Sequence, residues 1–240
     1  MDGFRSTLGI ERGDKVTRLE AFVDAAFAFA VTLLVISGDQ IPTSIEMLQQ
    51  ALKQIPAYAA SFAIIMQFWM NHADWSRRFG LEDQISDRLS LMLVFVLLIF
   101  IYPLKMVFGS FFSLISNGYL PSQFSINYWS EVPVLFQTFA VGCGAMAFII
   151  MFLFWRTVNL GSSLGFSTIE IDYAKFKRQL WSSVVMFSAF SFLLSMLIPA
   201  RPESGIWIGM PGFIFFILNL VQIYMRRRYI KKSSGSQHTH

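Results

Sequence analysis

Residues 18–37 read RLEAFVDAAFAFAVTLLVIS, a run of near-bilayer length in which Asp24 is the charge set deepest. A spanning helix needs about 20 mostly apolar residues. On a helix, Arg18, Phe22, Ala25, Phe29, Thr32 and Ile36 follow one another at spacings of four and three and therefore share a face. Asp24 falls on an adjoining face. Ala21, Ala25, Ala26, Ala28 and Ala30 are small enough to let membrane helices approach closely. The stretch is predicted to be a membrane helix packed inside an assembly instead of facing lipid.

The rest of the chain agrees with a membrane setting. Of 240 residues, 55% are hydrophobic and 14% charged, against about 25% charged in soluble domains. Twenty-six phenylalanines stand beside 15 acidic residues. So much aromatic surface cannot be wrapped in so few charges in water. Beyond the first, five more stretches have spanning length and composition: 56–72, 89–108, 132–155, 180–198, stopped by Pro199, and 206–225. The expected fold is all-α and polytopic, with six transmembrane helices in a single domain over residues 1–232 and a polar, disordered tail over 233–240. Within 43–55, Ile45, Leu48, Leu52 and Ile55 recur at helical spacing among polar residues, which predicts an amphipathic helix capped by Thr43 or Ser44. Pro56 can kink this helix into the second span.

Basic residues orient the chain. Sixteen of the 19 lysines and arginines precede span one, follow span six, or join spans two to three and four to five. Only Lys53 and Arg201 lie in the opposite loops, and Lys105 lies inside span three. The positive-inside rule then sets both termini in the cytoplasm, and the first 20 residues lack the apolar core of a cleavable signal peptide. The 226–232 basic run directly follows a span, which points to lipid headgroups and topology and not to nucleic acid. The segment 159–179 is expected to be the longest cytoplasmic loop.

Several chemistries are disfavoured. The single cysteine, Cys143, rules out an internal disulfide and a multi-cysteine metal site. No metal set is expected, nor any cofactor. His72 has Ser61 and Ser76 in sequence reach, but neither sits in a nucleophile turn, so an enzyme is not expected.

The informative residues are polar groups at membrane depth, which usually face a protein interior or a water path. Arg18, Asp24 and His72 fit either a hydrogen-bonded tie between the first two spans or direct contact with a transported ion. The Thr32 hydroxyl either bonds its own helix backbone or lines a path. Phe29, Leu33 and Ile36 fit ordinary packing as well as a pore wall.

The pattern Arg18-x-x-x-Phe22-Val-Asp24, followed by an apolar stretch to Thr32, resembles the first-helix signature of the transmembrane protein 175 family of potassium channels. The second span ends Trp69-x-Asn71-His72, similar to the family's Trp-x-x-His ending, and Pro56, Tyr58, Ser61, Phe62 and Pro103 fit too. The resemblance covers about residues 12–108. It implies a bacterial six-span subunit in a homotetramer, in the plasma membrane, whose first helix lines a central pore for monovalent cations. By position it implies constriction layers at Phe29, Leu33 and Ile36 with Thr32 beside them. It also implies a network of Arg18, Phe22, Asp24, Trp69, Asn71 and His72 anchoring the pore helix. Val23 stands where the signature has Ser, and Phe29 where the family usually has Ile or Leu, which narrows the axis and raises a dewetting barrier. No carbonyl-filter sequence of the Thr-Val-Gly-Tyr-Gly kind occurs. The expected function is a potassium-permeable channel. The alternatives are a proton or cation transporter using Asp24 and His72, for which a relay across the other spans is missing, or a non-conducting scaffold.

Overall fold

Local signals set the helix ends. The computed structural model describes residues 16–36, 42–81, 83–122, 124, 128–199, 201, 207 and 209–237. Among them the chain forms seven α-helices and no strands: α1 (Arg18–Ile36), α2 (Ile45–Lys53), α3 (Ile55–Phe79), α4 (Gln84–Ile115), α5 (Glu131–Leu160), α6 (Thr168–Leu197) and α7 (Met210–Gln237). Ser44 caps α2 by accepting from the Met47 amide at 3.2 Å. Gln54 ends α2 and begins α3, with Pro56 in the first turn of α3, where its missing N–H leaves no bond unmade. Gly80 ends α3 in the left-handed region (φ 51°), and its N–H donates to Ser76 O.

Two elements extend beyond the spans read from hydropathy. The segment 159–179 was expected to be a loop, but α6 already begins at Thr168. A capping box starts it: Ser167 accepts from the Glu170 amide, and Glu170 accepts from the Ser167 amide. Hydropathy misses this turn because it is polar on most sides and lies outside the apolar stretch. Likewise α7 continues as helix to Gln237, past residue 233 where a disordered tail was expected; residues 238–240 lie outside the described residues.

Among the described residues, α4, α5 and α6 are long and apolar enough to cross a membrane. Their 32, 30 and 30 residues reach about 45 Å at 1.5 Å per residue, more than the ~30 Å of a hydrocarbon core. Each begins with an acidic residue in its first turn: Asp87, Glu131 and Glu170. α5 packs between α4 and α6, α7 lies on α6, and α1 lies against α3 and α4. The core between them holds Phe27, Phe100, Phe154, Leu97, Met146 and Ile150, each 1% exposed or less.

α4 and α5 approach closely where Gly142 faces the Phe100 ring. A Cβ on Gly142 would fall inside the van der Waals radius of that ring. Phe100 is buried and packed on Phe139 at 5.5 Å between centroids, so it has no room to swing away. Gly142→Ala is expected to cost about 1–3 kcal/mol, read as a lower thermal midpoint of the purified protein in detergent. Gly144→Ala, whose Cβ would sit 3.1 Å from Ser188 Cβ, should cost less.

Candidate functional site

The period of 3.6 divides α1 into two faces. Glu20, Val23, Phe27, Ala30 and Leu34 are buried against α3 and α4. Arg18, Phe22, Ala25, Phe29 and Thr32 are exposed, with Phe22 at 53% and Phe29 at 57%. Val35 continues this face, and the Ile36 side chain lies outside the described residues. Leu33 is half-buried and packs at the edge of the core, a quarter-turn off the open face. The Thr32 hydroxyl donates to Ala28 O at 3.0 Å. It thereby satisfies its donor within the helix and leaves its oxygen lone pairs on the open face.

The bonds of Asp24, Trp69, Asn71 and His72 run between α3 and three neighbouring helices. Trp69 Nε1 donates to Asp24 Oδ1 at 2.8 Å and joins α3 to α1. His72 is 2% exposed, and its Nε2 lies 2.9 Å from Ser90 Oγ on α4. Because Ser90 Oγ donates to Ser86 O at 3.0 Å, it accepts from His72, which sets the Nε2–H tautomer. Asn71 turns to α6: its Oδ1 accepts from Lys177 Nζ at 2.9 Å and from Trp181 Nε1 at 3.4 Å. Arg18 and Phe22 stay on the open face of α1. Asp24 and Trp69 are thus brought together at the α1–α3 contact, while His72 bonds α4 and Asn71 bonds α6.

Sequence reasoning missed the partners on α5 and α6. Asp74 Oδ1 meets Arg78 Nε at 2.6 Å, and its Oδ2 accepts from the Tyr173 hydroxyl at 2.6 Å and lies 3.1 Å from Lys177 Nζ. Trp75 Nε1 donates to Thr157 Oγ1 on α5 at 2.9 Å. Asp83, the N-cap of α4, also binds Arg156 Nη2 of α5 at 2.6 Å. The i, i+4 spacing of Asp74 and Arg78 was the one available signal. The cross-helix partners of Asp74, Tyr173 and Lys177, are some 100 residues away in sequence, beyond the reach of any local pattern.

Asp74 lies two residues beyond the end of the second span. Burial disfavours its charge, but Lys177, the Tyr173 hydroxyl and Arg78 outweigh burial and hold its carboxyl below the usual carboxylate value of 3.8. A carboxyl depressed in the folded state adds stability that is whole above its unfolded value and is lost as pH falls through the lower folded value. Asp74→Asn leaves Lys177 and Arg78 short of a counter-charge and is expected to cost about 3 kcal/mol at neutral pH. Thermal unfolding in detergent should show that deficit at pH 7, and the gap between the two proteins should close below about pH 4.

The comparisons bear on the same elements. The family model described as endosomal/lysosomal potassium channel TMEM175 matches residues 18–103, which run from the start of α1 to Pro103 within α4. A protein from Marivirga tractuosa named "Potassium channel" is 29% identical over 231 residues, covering 92% of this chain and 91% of its own. The crystal structure of a variant of the potassium channel MtTMEM175, in complex with a Nanobody-MBP fusion protein, superposes with a TM-score of 0.77 at 25% identity, covering 92% of this chain and 97% of that one. In its first-helix motif, in a relative matched over nearly its whole length, and in its fold, this chain is similar to the TMEM175 potassium channels.

Proposed function

We propose that the chain is the subunit of a potassium-permeable channel in which several copies, four by the family resemblance, set the open faces of α1 around a central axis. The observation that carries this reading is the division of α1. One face is buried in the subunit, while Phe22, Ala25, Phe29 and Thr32 are left open although they lie on the most motif-rich helix of the chain. A lipid-facing helix has no need of Arg18 and Thr32 in register with alanines.

In this reading α1, α3 and α7 are the remaining three of six spans, the basic ends face the cytoplasm of a bacterial plasma membrane, and lipid covers the outer faces of the bundle. Phe29 and Ile36 form apolar constrictions, and Thr32 offers oxygen lone pairs to a monovalent cation between them. Leu33 supports the wall from its flank. Selectivity then comes from pore width and hydroxyl oxygens, without a carbonyl filter. A proton relay through Asp24 and His72 is less well supported, since Asp24 is bonded to Trp69 and His72 to Ser90. The family is one of channels, not enzymes.

Flux assays on purified protein in liposomes test the reading. Potassium-dependent flux is expected from the native chain. Phe29→Ile, which trims the ring, should raise it about tenfold, equal to ~1.4 kcal/mol off the barrier. Absence of flux from both proteins would overturn the channel function. Native mass spectrometry should find four copies, and a monomer would overturn the shared pore.

A further inference from the structure

We propose that Lys177, on α6, is a positioning residue for α1: its ammonium fixes α3 through Asn71 and Asp74, and α3 holds α1 through Trp69 and Asp24. The inference rests on the channel reading for its consequence in conduction, while its structural half stands apart from it.

The Lys177 Nζ reaches two acceptors one turn apart on α3, Asn71 Oδ1 at 2.9 Å and Asp74 Oδ2 at 3.1 Å. Two acceptors spaced three residues apart on one helix define both its rotation and its height relative to the donor. Asn71 is held from two further directions. Its Oδ1 takes a second proton from Trp181 Nε1, also on α6, and its Nδ2 donates to Gln67 O of its own helix at 2.7 Å. The Lys177 and Asp74 side chains are only 17% and 23% exposed. If α6 and α3 needed only to adhere, an apolar pair of similar volume would serve as well or better, without desolvating charge or immobilising a long lysine stem. What the ammonium adds is register.

That register matters two residues earlier. Trp69 donates to Asp24 at 2.8 Å, a bond whose strength falls steeply with misalignment. α1 packs against α3 and α4, so the height and rotation of α3 at Trp69 are passed to α1 at Asp24. Asp24 lies between Phe22 and Ala25 of the open face. Lys177 thus bears on the pore wall from the opposite side of α3.

The experiment pairs flux with a direct readout of Trp69. The protein is labelled with 5-fluorotryptophan, and its six tryptophans are resolved by fluorine NMR, Trp69 being assigned by its loss in Trp69→Phe. Lys177→Met is expected to shift both the Trp181 and the Trp69 resonances, and Lys177→Arg, which keeps the cation, to leave Trp69 nearer its native position. Lys177→Met takes away one of the two cations beside Asp74 and leaves Arg78, and Lys177→Met/Asp74→Asn, which removes the ammonium and the carboxylate together, should shift Trp69 likewise. In liposomes, Lys177→Met should lower potassium flux about tenfold, and adding it to Trp69→Phe should lower flux no further. A Trp69 resonance that stays in place in both Lys177→Met and Lys177→Met/Asp74→Asn while Trp181 moves would overturn the proposal, as would additive losses in flux. If the native chain does not conduct, the channel reading fails by itself, and the Trp69 resonance alone decides this one.

Discussion

Residues Trp69 to Trp75 of α3 reach four neighbouring helices by directed hydrogen bonds. Trp69 bonds α1, Asn71 and Asp74 bond α6, His72 bonds α4 and Trp75 bonds α5. In a lipid setting, apolar side chains gain little by leaving one apolar medium for another, so packing alone selects a helix arrangement weakly. Directed bonds between buried polar groups discriminate more sharply, because a wrong register leaves them unmade. That is the physical reason for concentrating tryptophan, asparagine, histidine and aspartate within two turns of a single helix.

This concentration leaves the face of α1 free. α1 spends its buried face on Val23, Phe27, Ala30 and Leu34 and its flank on Asp24, and so has no need of the Phe22–Phe29 side to stay in the bundle. The open face can then be given over to an assembly. The same economy explains Thr32, whose proton is used within its own helix. At the basic end, Asp83 combines two duties: it caps α4 and binds Arg156 of α5, so a helix start and a helix–helix contact depend on one carboxylate.

The legible part of the site follows from periodicity and local chemistry. The shared face of Arg18, Phe22, Ala25, Phe29 and Thr32 is a consequence of 3.6 residues per turn, and it is the face the structure leaves open. Ser44 as a cap and the amphipathic α2 were legible for the same local reason. The Trp69–Asp24 bond was reachable only through the resemblance to a known motif, as 45 residues separate the partners. Leu33, placed with the pore wall by motif position, is half-buried and packs against the core from the edge of the open face.

The membrane setting, the apolar stretches, the two faces of α1 and the crowding of polar groups near the ends of spans are all written in the chain. These depend on composition and on a fixed helical period, both of which are local. Only the tertiary structure decided which partner each polar group takes: Ser90 for His72, Lys177 and Trp181 for Asn71, Tyr173 and Lys177 for Asp74, Thr157 for Trp75. Any of several serines, tyrosines or lysines has the right chemistry. The choice among them is made by the height and rotation at which α3 meets α4, α5 and α6, and that geometry arises only when all four helices pack at once.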